Sequence, residues 1–244
     1  MRLLIGIDDT DNLDSRGTGC KARCLGTLLE ETGLAQVEGI TRHQLLVDPR
    51  IPYTSHNSSA CLVVNTKQDG LAQLADYCRD YLLQESASGS DAGLCLASWP
   101  AVRPVIQRFG YQAKKQVLTD EMAMKLALQE NILLAGLTGN GGGVIGALAA
   151  IGLRAGGQDG RFLWLPGLRE LDGIYTAERL QQIYRIDKIM SLDNATVPPE
   201  ARIDVGEWSR PILRQGQAVL LVEEVKEHDQ CDWRVAPKEI VKQF

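Results

Sequence analysis

Residues 131–153 carry no charged side chain. An uncharged stretch of that length could be mistaken for a membrane span. Its centre reads GLTGNGGGVIG, and a glycine cluster of this kind interrupts any helix long enough to span a membrane. A membrane segment is therefore not expected; the chain reads as a soluble globular protein in which a glycine loop feeds the apolar helix VIGALAAIGL. The opening MRLLIGIDDT meets acid at once, so no signal peptide is expected and the cytoplasm is the expected compartment.

Around this stretch the apolar periodicity changes twice. RLLIGI (2–7) is a short apolar run ending at Asp8 and reads as a buried strand. Cys24, Leu25, Leu28 and Leu29 then recur at helical spacing until Gly33, which supplies a left-handed stop. Segments 36–47 and 60–66 read as strands, Asp69 caps a helix with Leu71, Leu74, Cys78 and Leu82 on one face, and GLCLA (93–97) is a further strand. The order is βαββαβ, the split βαβ arrangement of a ferredoxin-like sandwich. Beyond residue 98 the pattern turns helical: MAMKLALQENILLAG (122–136) is rich in strong helix formers, and Thr176 opens another helix. RFLWL (161–165) and AVLLVEEV (218–225) read as strands. The expected class is α/β (α+β), with a ferredoxin-like region over 1–97 that carries the acidic motif. A helix-rich region with a glycine-rich phosphate loop is expected over 98–190, and a short β-rich tail over 191–244 packed on the core.

Charge and cysteine usage narrow the function. With 26 Lys+Arg against 31 Asp+Glu, no global basic field exists to hold a polyanion, and RNA would need a local patch or a separate module. Aromatics make up 5% of the chain, too few for base-stacking platforms. The cysteines at 20, 24, 61, 78, 95 and 231 show no CxxC pair, so no zinc ribbon or redox dithiol is expected, and most read as small buried apolar residues.

Four segments could carry chemistry. Asp8, Asp9, Asp11 and Asp14 lie between the first strand and the first helix. They suit a hard-cation site that holds Mg²⁺ against phosphates, or else a solvated acidic turn with Asp11 or Asp14 as a cap. In SRGTGCK (15–21), Gly17, Thr18 and Gly19 let backbone amides approach an anion while Arg16 and Lys21 supply charge; the Thr18 hydroxyl is a phosphoryl acceptor or a helix cap. The loop Gly139, Asn140, Gly141, Gly142, Gly143 contains a formal GxGxxG with the following residues. A preceding helical pattern and the lack of an acid after FLWL argue against a dinucleotide fold, leaving a phosphate cradle at a helix N-terminus or a tight interhelical turn. No GxxxxGK[ST] occurs, so a P-loop is excluded. Finally, His56 and Asn57 in PYTSHNSSA (52–60) are suited to orienting a substrate or moving a proton.

Taken together, GIDDTDN (6–12), the Arg16-Gly17 step, IPYTSHNSSA (51–60), GNGGGVIGALAAIG (139–152), SLDN (191–194) and RPILRQG (210–216) meet a known pattern. In that order they resemble the archaeal agmatinylcytidine synthetases that modify the AUA-decoding isoleucine tRNA. The resemblance implies an ATP-using enzyme with a kinase-like catalytic domain and a ferredoxin-like domain, in which ATP phosphorylates the wobble cytidine and agmatine displaces the phosphate. By the same resemblance Asp8, Asp9 and Asp11 belong to the Mg²⁺ and ATP site, with the glycine loop nearby. Two departures matter. Family members carry a Cys-Thr-Thr run with an autophosphorylated threonine, where this chain reads Gly17-Thr18-Gly19-Cys20-Lys21. They also continue into an OB-fold and a zinc ribbon, so this chain is expected to be the catalytic portion of that architecture. The expected function is Mg²⁺-dependent, ATP-driven activation of a substrate oxygen, with RNA or a small amine as further substrate and a partner chain or homo-oligomer left open. The alternatives are a non-catalytic nucleotide sensor and a catalytic subunit whose RNA-binding module lies on another chain.

Overall fold

Seven apolar-rich residues at the start form β1 (Arg2–Asp8), with Leu3, Leu4, Ile5 and Ile7 fully buried. In this computed structural model the described residues are 1–51, 57–67, 70–225 and 230–244. The chain divides into two compact units, Met1–Gly156 and Gly157–Phe244.

In the first unit β1 is followed by α1 (Thr18–Glu31), β2 (Gln36–Gln44), β3 (Ser58–Asn65), α2 (Leu71–Glu85) and β4 (Gly93–Ser98). Then come α3 (Pro104–Ala113), α4 (Asp120–Gln129), β5 (Leu133–Gly136) and α5 (Val144–Gly156). Asp69, expected to cap α2, lies outside the described residues. The sheet order is β5-β4-β1-β3-β2, and each neighbouring pair is antiparallel. Strand alternation sends successive side chains to opposite faces. Leu62 of β3 therefore meets the α1 side, close to Gly26, while Cys61 joins the core cluster built with α3, α4 and α5.

The second half of the charge-free stretch, α5, is central to this unit, whereas in the first half Asn131, Leu133, Gly136, Gly139 and Asn140 are exposed. Every residue of α5 from Gly146 to Arg154 is buried, Leu148, Ile151 and Leu153 completely so. Each such side chain contributes about 1.5–3 kcal/mol by leaving water. The helix lies directly on β1: a Cβ at Gly6 would fall 2.1 Å from the Ala147 carbonyl oxygen, so only glycine fits there.

The continuous helix expected over 122–136 does not form. α4 stops at Gln129, Asn131 adopts a left-handed φ of 55°, and Leu133–Gly136 becomes a strand on β4. Asparagine tolerates that conformation better than most residues, and pairing with the β4 edge outweighs helix propensity. A strand does then precede the glycine loop, but it runs antiparallel to β4, whereas a dinucleotide fold needs parallel strands joined through the helix.

The second unit contains β6 (Arg161–Trp164), β7 (Ile174–Thr176), α6 (Ala177–Ile183), β8 (Lys188–Ser191), β9 (Arg202–Asp204), β10 (Ile212–Arg214), β11 (Gln217–Glu224), β12 (Trp233–Val235) and α7 (Lys238–Val241). Its strands run β6-β10-β11-β12-β9-β7, with β8 parallel to β11. Thr176 caps α6 by accepting a hydrogen bond from the Arg179 N–H at 3.3 Å. The observed boundary at 156/157 differs from the 97/98 and 190/191 boundaries expected from the pattern. α3, α4 and α5 bury their apolar faces against the first sheet, while residues 161–190 build one core with the strands that follow. Among the described residues, no helix is long and apolar enough to cross a membrane.

Candidate functional site

The end of β1 and the start of α5 meet at a cleft of about 190 Å³ in the first unit. Its polar wall includes Asp8, Asp9, Asp11, Thr18, Asp91, Asn140, Gly142, Gly143 and Gly146, so the acidic turn and the glycine loop, far apart in sequence, line one space.

Glycine is what lets them meet. A Cβ at Gly143 would fall 2.6 Å from the Gly93 nitrogen and 2.9 Å from the Asp8 carbonyl oxygen. One at Gly146 would fall 1.7 Å from Asp8 Oδ2. The first turn of α5 is thereby pressed against the Asp8 carboxylate. The loop amides are not the open nest expected from the sequence. Asn140 N–H donates to Asp91 Oδ1 at 2.7 Å, Gly141 N–H to the Thr138 carbonyl at 3.0 Å and Gly142 N–H to Asn140 Oδ1 at 2.8 Å. Gly143 N–H donates to the Asp91 carbonyl at 2.8 Å. These glycines serve close backbone approach, and Asp91 is the residue that fixes the loop.

The acidic turn is tense. Asp9 holds a left-handed φ of 48°, a costly conformation for a residue with a side chain. Burial raises the Asp8 carboxyl to about 7, and the Asp9 and Asp11 charges push the same way; the Asp9 N–H and Arg42 oppose them. Burial likewise raises Asp9 to about 6, with repulsion from Asp91 and Asp11. Arg42, which donates from Nε to Ser58 Oγ at 2.8 Å, is lowered by burial and held up by Asp11 and Asp8. Asp11 acts as a cap: its Oδ1 accepts the Thr18 N–H at 3.0 Å and the Thr18 hydroxyl at 2.7 Å. Thr18 Oγ also accepts from Thr10, from the N–H at 3.3 Å and the hydroxyl at 3.1 Å. Among the described residues, no three His, Cys, Asp or Glu side chains converge tightly enough to cage a metal by themselves.

The second glycine segment is divided. Thr18 lines the cleft, but Arg16 and Lys21 line a separate groove between α1 and α2 together with Cys20, Cys24, Tyr77 and Tyr81. There Lys21 Nζ donates to the Glu85 carbonyl and the Tyr81 hydroxyl to the Lys21 carbonyl. The charge expected from Arg16 and Lys21 at the phosphate site is thus not delivered there. Gly17 and Gly19 are not among the residues lining either space. Asn57 does line the cleft, donating from Nδ2 to the Leu46 carbonyl at 2.6 Å, whereas His56 lies outside the described residues.

The opposite wall is one that sequence reading missed. Leu45, Ile51, Ala113, Gln116, Val117, Leu118 and Ile145 line it, with Arg50 beside them in an ion pair to Asp48 at 2.8 Å. No periodicity marks the link between α3 and α4 as functional, and Asp91 reads as one polar residue in a loop. All six cysteines are free, and those at 61, 78, 95 and 231 are buried.

No family model matches the chain. An uncharacterized protein of Methanocaldococcus jannaschii is 31% identical over 155 residues, covering 62% of this chain and 50% of the relative. Among solved structures, the complex of TiaS, tRNAIle2 agmatidine synthetase, with its tRNA and ATP aligns at a TM-score of 0.55 and 26% identity. The TiaS complex with the same tRNA, AMPCPP and agmatine aligns at 0.53 and 25%. A tRNA fluorescent labeling enzyme aligns at 0.54 and 27%. Each covers 62% of this chain, and this chain spans 36% of each of them. The resemblance carried by the motifs is therefore borne out: over 62% of its length this chain is similar in sequence and fold to tRNAIle2 agmatidine synthetase.

Proposed function

We propose that the first unit binds ATP with Mg²⁺ and transfers its γ-phosphoryl group to an oxygen of a second substrate. The observation that carries this reading is the convergence of Asp8, Asp9 and Asp11 with Asn140, Gly142, Gly143 and Gly146 on one cleft. The likeness to TiaS structures containing ATP and AMPCPP supports it. The donors fit Mg²⁺, which keeps several waters and takes only one or two carboxylates beside its phosphate ligands. Asp8 and Asp9 are hard oxygen donors kept close together at a cost that a cation would relieve. When bound, Mg²⁺ neutralises charge on the phosphate oxygens.

The chain's own residues do the rest. Asp8 and Asp9 would hold the ion, Asp11 keeps the turn and α1 in register, and the glycines at 143 and 146 let the first turn of α5 close onto Asp8, so that the loop borders the phosphates. Arg50 would offset charge during transfer, and Asn57 with Ser58 would orient the acceptor. Transfer forms a bond between the γ-phosphorus and the acceptor oxygen as the bond to the β–γ bridging oxygen breaks, and ADP departs with the electron pair. In the fuller reaction that the resemblance suggests, an amine nitrogen of an agmatine-like substrate attacks the activated cytidine carbon, the C–O bond breaks and phosphate leaves.

Calorimetry with ATP and Mg²⁺ tests the reading. Binding is expected for the native chain and a clear loss for Asp8→Ala and Asp9→Ala; no binding, or binding unchanged in both variants, overturns it. One observation favours a second reading, a nucleotide-binding protein without turnover: the stretch at 17–21 reads Gly-Thr-Gly-Cys-Lys in place of the family's Cys-Thr-Thr run. Incubation with labelled ATP, RNA and small amines separates the two, since a sensor binds without consuming ATP.

A further inference from the structure

One buried hydroxyl beside the acidic turn has no partner. Ser59 of β3 is 1% exposed, and among the described residues its Oγ makes no hydrogen bond. Buried hydroxyls normally find one, because a dry, unpaired polar group costs stability. The strand ladder shows what stands next to it. β1 and β3 pair antiparallel, with Gly6 against Cys61 and Ile7 against Ala60, so the next step along the two strands sets Asp8 against Ser59. Both side chains are on the α5 face of the sheet: Asp8 meets the first turn of α5 at Gly146, and Ser59 is two residues from Cys61, which joins the core built with α5. Directly opposed residues on neighbouring strands hold their Cβ atoms about 4.5–5.5 Å apart, within reach of a hydroxyl and a carboxylate. On the other side of Ser59 stands His43 of β2, whose Nε2 is engaged with the Thr41 hydroxyl at 2.9 Å.

From this juxtaposition we infer that Ser59 is a positioning residue for the cation site, its hydroxyl donating to one oxygen of Asp8 while the other oxygen faces Mg²⁺. A carboxylate that ligates a metal is itself usually held by an outer hydrogen bond, which fixes its orientation. The neighbouring acids already have such a hold. Asp11 accepts from the Thr18 N–H and hydroxyl, and Asp91 from the Asn140 N–H. Among the described residues no side chain donates a hydrogen bond to Asp8, and Ser59 is the spare donor opposite it. The hydroxyl therefore costs the free chain stability and gains its partner when the cation draws the Asp8 carboxylate into place. The inference rests on the nucleotide reading above and adds to it a residue that does not line the cleft.

The experiment titrates the full chain with ATP by calorimetry, once with Mg²⁺ and once in EDTA, for the native protein, Ser59→Ala and Ser86→Ala. Ser86 Oγ is also buried without a partner among the described residues, but Ser86 follows the end of α2, so it controls for the loss of any such group. Ser59→Ala is expected to weaken MgATP binding about tenfold, the lower end of what losing an outer partner of a metal ligand costs. Binding in EDTA is expected to match the native chain, and Ser86→Ala to leave MgATP binding unchanged. Without ligand, Ser59→Ala is expected to melt at or above the native temperature, because a methyl group leaves nothing unpaired. MgATP bound as tightly by Ser59→Ala as by the native chain, an equal loss with and without Mg²⁺, or an equal loss in Ser86→Ala overturns the inference. So does a Ser59→Ala chain that melts well below the native one or fails to fold, since the hydroxyl then belongs to the packing. If the native chain binds no ATP at all, the nucleotide reading falls and this inference with it, an outcome distinct from every failure in which the native chain binds.

Discussion

Two glycine-containing segments, 15–19 and 139–143, look alike in composition and in their position before a helix, yet the fold gives them different work. At 139–143 the glycines are places where backbone touches backbone, and a side chain at 143 or 146 would collide with Asp8, Gly93 or Asp91. At 15–19 the space is open: the nearest atom to a Cβ at Gly17 is Asp11 Oδ2 at 3.9 Å. The segment at 139–143 brings Asn140, Gly142 and Gly143 to the cleft, while that at 15–19 contributes only Thr18, and Arg16 lines another groove with Lys21. A glycine before a helix is thus ambiguous on its own; what it is for depends on which other backbone lies within about 3 Å of it, a distance at which no side chain fits.

The sharpest way to break this contrast is by binding. Asp9→Ala is expected to weaken MgATP by roughly a hundredfold, about the worth of a lost charged contact, while Arg16→Ala and Lys21→Ala leave the affinity unchanged. If calorimetry finds Lys21→Ala as damaging as Asp9→Ala, the two segments share the site after all. Next in size is stability. Gly143→Ala forces backbone apart and is expected to cost about 1–3 kcal/mol, read as a lowered urea midpoint. Gly17→Ala, in open space with φ −61°, is expected to stay within about 0.5 kcal/mol of the native chain. Thr18→Val removes the bonds to Asp11 and Thr10 from a buried position and is expected to cost about 1–3 kcal/mol.

The last test is the dependence on pH. Asp8 and Asp9 are protonated more readily in the folded chain, near 7 and 6, than at their ordinary value of 3.8. The folded state therefore binds more protons than the unfolded one, and these groups withdraw stability as pH rises from about 4 to 7. Asp8→Asn should flatten the slope of Tm against pH and raise Tm at pH 8. Mg²⁺ should raise the native Tm more at pH 8 than at pH 5.5, because protonation competes with the ion. A slope untouched by Asp8→Asn would place the raised carboxyl elsewhere.

Much of this molecule was readable beforehand where the signal is local. β1 and α1 follow from apolar period and a glycine stop, α6 from its threonine cap, and the free buried cysteines from their spacing. The acidic turn announced itself by density of charge. What escaped was Asp91, the Arg42 guanidinium beside Asp8 and Asp11, and the link at 116–118, since none has a periodic or compositional signature. The extended helix predicted over 122–136 failed for a related reason: helix propensity is a property of the segment, whereas β5 exists because β4 offers an edge with unpaired backbone groups.

The sequence by itself determined that residues 131–153, though uncharged, are not one long apolar helix, because a glycine cluster cannot sustain it. Only the tertiary structure decided what those glycines accomplish. Which backbone they approach depends on the packing of α5 across β1 and β4, contacts between residues far apart in the chain that no local pattern encodes.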